Sequence, residues 1–321
     1  MSFELDHLVE RRQLKRKLSI WRMIAIVVLI ILVVASALTY VLEDADLDRK
    51  KDHIAKISFT GTILGQERKI KLIKKLAKTK AVKGVVVSIN SPGGATSGGE
   101  AIYEALTELG QTKPVVTSMD GVAASAGYMI ALPTERIFAR RSTITGSIGV
   151  LYQYTDITEL MGTVGVEMRS IKSAPLKAEP NPFSKRNPEA EAMIARMIDD
   201  SYQWFVDLVA KHRPFDRERA LELADGRVTT GGQALKLQLI DEIGGPDAAM
   251  NWLIKKHNLD SKLEMIEWKP EPISNDFPFG FASSLLTNLL PQPIIDLFEE
   301  RKLAGKLDGL VSVWQAQKIE Q

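Results

Sequence analysis

The longest uninterrupted apolar segment of the chain lies near its N-terminus. Residues 23–42 contain no charged side chain. A helix rises about 1.5 Å per residue, so about twenty apolar residues are enough to cross the hydrocarbon core of a bilayer. The pattern therefore predicts a single transmembrane helix at residues 23–42.

The charges on the two sides of this segment differ in sign. Basic side chains precede it at Arg11, Arg12, Lys15, Arg16, Lys17 and Arg22. Acidic side chains follow it at Glu43, Asp44, Asp46 and Asp48. Because basic residues are retained on the cytoplasmic side of a membrane, we expect residues 1–22 to form a cytoplasmic tail and the chain after residue 45 to lie outside.

Two other interpretations of the apolar segment remain open. A buried core helix can be apolar, but core helices are seldom this long and uniform. A secretory signal peptide is the stronger alternative, because Ala35-Ser36-Ala37 resembles a cleavage site with small residues. The apolar residues continue to Leu42, beyond that site, which favours an uncleaved anchor.

After a charged linker at residues 43–53, short β-branched segments alternate with segments of helical periodicity. Strands are predicted at residues 54–63, 84–89 and 114–118. Apolar side chains at helical spacing mark two helices between them, at Ile70, Ile73, Leu76 and Ala77, and at Ala101, Ile102, Ala105, Leu106 and Leu109. This order of repeated βα units predicts an α/β fold with a largely parallel sheet covered by helices.

The C-terminal part of the chain contains a long helical pattern and an irregular segment. Asn187 followed by Pro188 is typical of a helix start, and the pattern runs from there to about Ala210. The face of this helix that is expected to be buried includes Met193, Ile194, Met197, Ile198, Phe205 and Leu208. Residues 270–293 contain five prolines and are expected to be irregular, and an amphipathic helix is predicted after them, extending to Trp314.

Composition narrows the functional classes. Of the 321 residues, 45% are hydrophobic and 26% charged, which suits a globular core rather than a disordered chain. The net charge of +2 is almost balanced and no zinc-finger or RNA-binding signature is present, so no nucleic-acid partner is expected. There is no cysteine, which excludes disulfides, thiolate nucleophiles and thiolate metal sites.

Two motifs at strand ends carry the candidate chemistry. Asn90-Ser91-Pro92-Gly93-Gly94 follows a predicted strand, and its adjacent glycines expose backbone N–H groups that can receive a developing negative charge. Ser125 lies among small residues at 121–128, where a strand meets a helix, so a substrate backbone can approach its hydroxyl. Taken singly, the first motif is also a common turn, and the second also suits a helix cap or a close-packed serine.

A serine nucleophile needs a base to take its proton, and histidine is the usual one. The chain has four histidines, at His7, His53, His212 and His257. None of them lies in a strand-end loop rich in glycine or acidic residues. A Ser-His-Asp triad is therefore not favoured.

Five segments, taken together and in their order along the chain, make it resemble the signal peptide peptidase A family of Ser-Lys serine peptidases. These peptidases share the fold of the Clp protease and the crotonase enzymes. The five segments are Asn90 to Gly94, Val122 to Tyr128, Thr145-Gly146-Ser147-Ile148-Gly149-Val150, Ile171-Lys172-Ser173 with Lys177, and Asp225-Gly226-Arg227-Val228. The resemblance covers residues 54–246. It implies a Clp/crotonase-like peptidase domain, which we place at residues 54–268, followed by a C-terminal extension at residues 269–321.

The resemblance also implies roles for individual residues. Ser125 is the expected nucleophile and Lys177 the expected general base, with Lys172 as the alternative lysine. Ser147 is expected to orient the lysine. The backbone N–H groups of Gly94 and Ala126 are expected to form the oxyanion hole. No metal or organic cofactor is implied.

A lysine base sets a physical requirement on its surroundings. A free lysine has a pKa of about 10.4 and is protonated at neutral pH. Burial in a dry, apolar pocket disfavours the charged form, and a hydroxyl can orient the amine without adding negative charge.

The chain departs from the family pattern at Ala126, at Ala174-Pro175 and at Gln238, where glycine is common.

Substrates, assembly and location also follow from the resemblance. It implies hydrolysis of peptides, above all cleaved signal peptides, through an acyl-enzyme. It implies a ring-shaped homo-oligomer, such as an octamer, in which neighbouring subunits complete each active site. The expected location is a bacterial inner membrane, crossed once, with the catalytic domain in the periplasm. Two rival functions remain open: a crotonase-like acyl-CoA enzyme, and a non-catalytic membrane scaffold that retains the fold.

Overall fold

The computed structural model describes residue 17, residues 20–34 and residues 49–270, together with the backbone of residues 311–313. The chain forms two units, Met1–Asp52 and His53–Gln321. In the first unit, residues 20–34 form helix α1. The predicted transmembrane helix continues into residues 35–42, which lie outside the described residues. Within the described part of the chain, no helix has both the length and the apolar character needed to cross a membrane.

The second unit alternates strands and helices. Its strands are β1 His53–Thr60, β2 Val82–Ser91, β3 Gly93–Ala95, β4 Val115–Ala124, β5 Ile137–Ala139, β6 Ile144–Gly146, β7 Val228–Thr230, β8 Glu242–Ile243, β9 Met265–Glu267 and β10 Val311–Val313. Its helices are α2 Glu67–Lys78, α3 Thr96–Gly110, α4 Ala126–Met129, α5 Thr158–Thr163, α6 Pro188–His212, α7 Arg217–Leu223, α8 Gly231–Lys236 and α9 Pro246–Lys256. The three predicted strands overlap β1, β2 and β4, and the first two predicted helices overlap α2 and α3.

Eight strands form one sheet in the order β7-β6-β4-β2-β1-β9, with β5 paired to β4 and β8 paired to β5. These pairings are parallel except for the antiparallel pair β6 and β7. The predicted α/β fold with a largely parallel sheet is therefore confirmed. Because the strands are parallel, the turns that follow β2, β4 and β6 meet at one edge, which we call the carboxyl edge.

The central strands are buried on both faces, as a continuous run of β-branched residues predicts for a parallel sheet. Val85 and Val87 of β2 point to one face, while Val86 points to the other, and all three are fully buried. The first face packs against the predicted apolar sides of α2 and α3, at Ile73, Leu76, Ile102, Ala105, Leu106 and Leu109. The second face packs against α9 through Ala249 and Leu253.

The long predicted helix is α6. Asn187 caps its start, because its side chain accepts hydrogen bonds from the N–H groups of Glu189 and Ala190 at 3.0 and 3.3 Å. The prediction of a continuous buried face is wrong for the N-terminal half: Phe205 is buried, but Met197 is 47% exposed. The apolar stripe therefore continues onto the surface of the single chain.

Strands β3 and β10 form a separate antiparallel pair, in which residues 93–95 face residues 313–311. The amphipathic helix predicted to extend to Trp314 is therefore wrong for residues 311–313. The edge of β3 offers backbone donors and acceptors that a strand can pair with and a helix cannot. The irregular segment expected at residues 271–293 lies outside the described residues, as do the rest of the predicted helix up to residue 310 and Trp314.

Candidate active site

Ser125 occupies the turn between β4 and α4, at the carboxyl edge of the sheet. Its backbone has φ 57° and ψ −121°, a conformation that residues other than glycine rarely adopt. Its N–H donates to the carbonyl oxygen of Gly146 at 2.8 Å, and its own carbonyl oxygen accepts from Tyr128 and Met129 at 2.9 Å each. The residue is 1% exposed. Backbone strain of this kind persists only where the surrounding structure imposes it, and it is concentrated at functional sites.

The end of β2 lies directly against α4, the short helix that follows Ser125. Glycine at position 127 makes this contact possible, because a Cβ there would lie 2.7 Å from the carbonyl oxygen of Ser91. Ser91 is itself fully buried, and its hydroxyl accepts from the N–H of Gly93 at 3.2 Å. The structure therefore brings the two sequence motifs, around Gly93 and around Ser125, side by side.

Gly94 has no room for a side chain. A Cβ at this position would lie 1.8 Å from the carbonyl oxygen of Ile63. The same Ile63 donates from its N–H to Gly93 and accepts from the N–H of Ala95, both at 2.8 Å, so it holds one edge of β3. The predicted oxyanion donors thus belong to two adjoining elements: the N–H of Gly94 lies in β3, and that of Ala126 lies at the start of α4.

Ser147 follows β6 as Ser125 follows β4. Ala124 lies opposite Gly146 in the pairing of these strands, so the two serines are the next positions of two adjacent parallel strands. Ser147 also has a positive φ, of 50°, and its N–H donates to the carbonyl oxygen of Arg227 at 2.7 Å. The fold therefore brings Ser125 and Ser147 together.

Lys177 is not part of this cluster in a single chain. It lies in the segment between α5 and α6, where its N–H donates to the carbonyl oxygen of Ala174 at 3.1 Å. Its side chain is exposed, and its amine forms no hydrogen bond or ion pair with any residue that the structure describes. Ser125 and Lys177 are therefore not brought together within one chain.

Lys172, the alternative lysine, is bound to a carboxylate. Its amine donates to Glu179 at 2.5 Å, and the two side chains are only 22% and 9% exposed. The hydroxyl of Ser184 donates to the other oxygen of Glu179 at 2.7 Å. These two hydrogen bonds lower the pKa of Glu179 below its usual value, and the bond from Lys172 has the larger effect. The carboxylate therefore remains ionised and holds the Lys172 amine.

A cavity of about 650 Å³ lies beside this ion pair. Its lining is largely apolar or small and includes Met161, Gly162, Gly165, Val166, Met168 and Phe183. The lining does not include Ser125 or Ser147. Apolar side chains of the same segment are also strongly exposed, namely Leu160, Val164, Val166, Met168 and Ile171. This segment, residues 158–185, thus presents apolar surface on the single chain.

Each of the three histidines in the described part of the chain has a partner away from Ser125. The pairs are His53 with Trp268 at 3.0 Å, His212 with Tyr103 at 2.7 Å, and His257 with Glu135 at 2.9 Å. His53 begins β1 and therefore lies at the opposite edge of the parallel sheet, and His7 lies outside the described residues. Within residues 49–270, no group of histidine, aspartate and glutamate is arranged to hold a metal ion.

Two features of this site were not predicted from the sequence. The first is the pairing of β10 with β3, although the alternation in Val311-Ser312-Val313 is a weak strand signal. The second is the side chain of Asn90, whose Oδ1 accepts from the backbone N–H of Val122 at 3.1 Å. Both depend on contacts between segments that are distant in sequence.

Comparison with known proteins identifies the family. Residues 107–260 match peptidase family S49, and this segment includes Ser125, Ser147 and Lys177. A candidate protease of Synechocystis is 38% identical over 229 residues, which cover 70% of this chain and 82% of that protein. A candidate signal peptide peptidase SppA of Enterococcus faecium is 36% identical over 221 residues, covering 68% of this chain and 62% of that protein.

A third relative is the chloroplast serine protease SPPA of Arabidopsis thaliana, which is 31% identical over 261 residues. These residues cover 79% of this chain and 36% of that protein, so the chain spans less than two thirds of the length of this relative and of the Enterococcus protein. Both the match to family S49 and the similarity to the Synechocystis protein agree with the family that the sequence motifs indicate. The chain therefore belongs to the signal peptide peptidase A family, peptidase family S49, and is a serine-type peptidase.

Proposed function

We propose that this chain is a membrane-anchored serine endopeptidase that degrades cleaved signal peptides and other small apolar peptides through an acyl-enzyme on Ser125. One observation carries the proposal: Ser125 lies in a strained turn at the carboxyl edge, beside the turn of Gly93 and Gly94 and beside Ser147. A hydroxyl in this position has a glycine turn with backbone donors on one side and a second hydroxyl on the other.

The proposed reaction begins when the Ser125 oxygen attacks the peptide carbonyl carbon and passes its proton to the neutral amine of Lys177. The N–H groups of Gly94 and Ala126 stabilise the negative charge that develops on the carbonyl oxygen. The protonated amine then gives its proton to the leaving nitrogen as the C–N bond breaks. A water molecule, deprotonated by the same amine, releases the acyl group and restores the Ser125 hydroxyl.

The contacts of the two candidate lysines support Lys177 as the base. Lys172 is bound to the carboxylate of Glu179, which stabilises an ammonium, whereas a base must be neutral when it accepts a proton. Lys177 forms no such pair with a described residue. Its exposed amine can therefore be placed in a dry environment by a neighbouring chain.

We infer that a neighbouring subunit supplies this environment in a ring-shaped homo-oligomer, such as an octamer. The segment that carries Lys177 exposes several apolar side chains, among them Leu160, Val164 and Ile171. Clustered exposed apolar residues are typical of a surface that another protein covers. Covering this segment with a second copy would bury its apolar side chains and remove Lys177 from water in the same event.

The edge of β3 supports binding of an extended peptide. Residues 93–95 already accept an antiparallel strand, β10, so the backbone there is suited to strand addition. A substrate strand on this edge would pass its backbone along Gly94. Because strand addition relies on backbone hydrogen bonds, it tolerates peptides of varied sequence. This tolerance suits the degradation of unfolded peptide remnants.

The proposal assigns a Clp/crotonase-like fold to the peptidase domain at residues 54–268 and a transmembrane anchor to residues 23–42. The N-terminus would lie in the bacterial cytoplasm and the peptidase domain in the periplasm. The apolar sequence of the segment and the charge difference across it support this arrangement. An anchor would hold the active site where peptides leave the bilayer, at high effective concentration.

The decisive experiment is complementation between two variants of the full-length chain. Ser125→Ala and Lys177→Ala are each expected to hydrolyse a fluorogenic peptide at less than about one-thousandth of the wild-type rate. In a mixed ring, about one site in four would combine Ser125 of one chain with Lys177 of its neighbour. Co-expression should therefore recover that share of activity. Lys185→Ala, which changes an exposed lysine of the same segment, should retain full activity.

Each outcome has a distinct meaning. Full activity in Ser125→Ala or in Lys177→Ala would contradict the proposed pair. Two inactive variants that do not complement each other would contradict completion of the site by a neighbouring chain. Turnover of an acyl-CoA by Ser125→Ala at the wild-type rate would favour the crotonase-like rival. A wild-type chain that no serine-directed fluorophosphonate labels would favour the non-catalytic scaffold.

A further inference from the structure

Strand β4 contains a two-residue bulge shortly before its end. Ile89 of β2 lies opposite Met119, a difference of 30 in residue number that holds along most of the pair. Ser91 lies opposite Ala123, a difference of 32. Residues 120–122 of β4 therefore face a single residue of β2. Bulges of this kind are frequent beside active sites, where they change the direction or position of a side chain.

The bulge decides where Ser125 arrives along the sheet. If the residue-number difference of 30 between β4 and β2 continued past the strand ends, Ser125 would lie level with Ala95. With the difference of 32 that follows the bulge, Ser125 lies level with Gly93. Two residues of extended chain span about 6–7 Å, and an even shift leaves every side chain on its original face. The bulge thus brings the proposed nucleophile to the level of Gly93 and leaves its side chain on the same face of the sheet.

Asn90 is the residue of β2 that lies opposite the bulge. Its Oδ1 accepts from the backbone N–H of Val122 at 3.1 Å. The same oxygen lies against the backbone at Gly121, where a Cβ would be 3.1 Å away. Because a bulge interrupts the regular ladder between two strands, the amide oxygen of Asn90 takes the place of a backbone acceptor for Val122.

Three other side chains contact the bulge, at its first residue; the most distant is that of Arg140, 3.8 Å from the Asp120 carboxylate. The hydroxyl of Ser88 donates to the carboxylate of Asp120 at 2.9 Å. The hydroxyl of Thr143 donates to the carbonyl oxygen of Asp120. Asn90 acts at the last residue of the bulge, Val122, only three positions before Ser125. Its contact is therefore the one that bears most directly on the position of the serine.

We propose that Asn90 is a positioning residue for the serine nucleophile. Its amide oxygen holds the end of the β4 bulge and thereby fixes the level at which Ser125 meets the turn of Gly93 and Gly94. The inference rests on the proposed role of Ser125 as the nucleophile. A displacement of about 1 Å at a reacting atom can lower a rate by about 10²-fold. The proposed binding of the peptide depends on the edge of β3 rather than on the position of Ser125. Peptide binding should therefore change little when Asn90 is substituted.

The test measures how fast a fluorophosphonate probe labels Ser125 in the full-length chain, together with kcat and KM for a fluorogenic peptide. Asn90→Leu keeps the size of the side chain but removes the acceptor. It is expected to slow labelling and kcat by about 10²-fold with little change in KM. Asn90→Asp keeps an acceptor oxygen in the same place and should recover most of the rate.

The matched control is Asp216→Ala. It also removes a side-chain acceptor for a backbone N–H, that of Arg219 at 2.9 Å, but at the start of α7. This variant should be labelled at the wild-type rate. A general loss of stability would slow both variants alike, whereas a positioning role slows only Asn90→Leu.

Labelling of Asn90→Leu at the wild-type rate, or no recovery in Asn90→Asp, would overturn the inference. If Asn90→Leu does not fold cooperatively, Asn90→Gln decides, because its acceptor lies one methylene farther from Val122. It should fold and be labelled slowly, and wild-type labelling would again overturn the inference. Failure of the proposed nucleophile has a different signature, since Ser125→Ala would then be labelled as fast as the wild type.

Discussion

The backbone N–H of Ser125 donates to the carbonyl oxygen of Gly146 at 2.8 Å. This hydrogen bond joins the ends of β4 and β6 and sets Ser125 beside Ser147, the next residue of β6. Both serines have φ in the left-handed region, at 57° and 50°. The proposed nucleophile and the proposed orienting hydroxyl therefore share one backbone framework, in which a shift of either strand end moves both.

Gly94→Ala is expected to lower peptide hydrolysis by at least about 10²-fold, because it displaces a proposed oxyanion donor. The added Cβ would lie 1.8 Å from the carbonyl oxygen of Ile63, so β3 must move. Overpacking of this kind costs about 1–3 kcal/mol in the free energy of unfolding. Hydrolysis of a fluorogenic peptide and thermal unfolding of the full-length chain measure the two effects.

Gly65→Ala is the control for this substitution, because a Cβ at Gly65 would meet no atom within 4 Å. It should leave both the activity and the melting temperature close to those of the wild type. Unchanged activity in Gly94→Ala would contradict the assignment of its N–H to the oxyanion hole.

Lys172→Met is expected to destabilise the protein near neutral pH, with an effect that fades in acid. The hydrogen bond from Lys172 lowers the pKa of Glu179. The ionised pair therefore stabilises the folded state above the ordinary pKa of a glutamate, and this stabilisation is lost as the pH falls through the lowered value. Melting temperatures of the wild type and the variant, measured from about pH 7 to about pH 3, should converge at the acid end.

Arg169→Met is the control for the ion pair of Lys172. It removes the pair of Arg169 with Glu167, whose side chains are 83% and 70% exposed, and exposed pairs contribute little to stability. Its melting temperature should follow that of the wild type at every pH. A difference between Lys172→Met and the wild type that persists unchanged into acid would show that the lost stability comes from packing rather than from charge.

Removal of β10 is expected to improve access to the edge of β3. A chain that ends at Lys306 lacks residues 311–313, which pair with residues 93–95. Because β10 belongs to the same chain as β3, its effective concentration at this edge is high, and it competes there with a free peptide. The truncated chain should therefore show a lower KM for a fluorogenic peptide than the full-length chain.

A chain that ends at Val313 provides the comparison for this truncation, because it retains β10 and lacks only the last eight residues. Its KM should equal that of the full-length chain. If the chain that ends at Lys306 loses activity and melts at a lower temperature, β10 stabilises β3 rather than competing with substrate.

The elements of the fold follow largely from local sequence patterns. The β-branched run at residues 84–89 predicts a buried strand, and the spacing of Ile73 and Leu76 predicts the covered face of a helix, because burial on one side requires the matching period. The structure confirms both. The same reasoning fails for Met197 on α6, whose apolar stripe has no cover in the single chain. Periodicity shows which face is apolar, but not what covers it.

The site was predictable in its parts rather than in its arrangement. Glycine at position 94 and small residues around Ser125 are visible in the sequence, because close approach requires them. A role for Ser147 in orienting the lysine was expected only through the family resemblance. Its position beside Ser125 comes from the pairing of β6 with β4. The contact of Asn90 with Val122 has no local sequence signal, because it exists only once the bulge has formed.

By itself the sequence determined which residues can carry the chemistry and at which strand ends they lie, because residue type, periodicity and glycine placement are properties of the chain. Only the tertiary structure decided how those ends meet: the bulge before Ser125, the pairing of β10 with β3, and the exposure of Lys177. The first two depend on the register between segments far apart in sequence, and an even shift of register preserves the local pattern of buried and exposed residues.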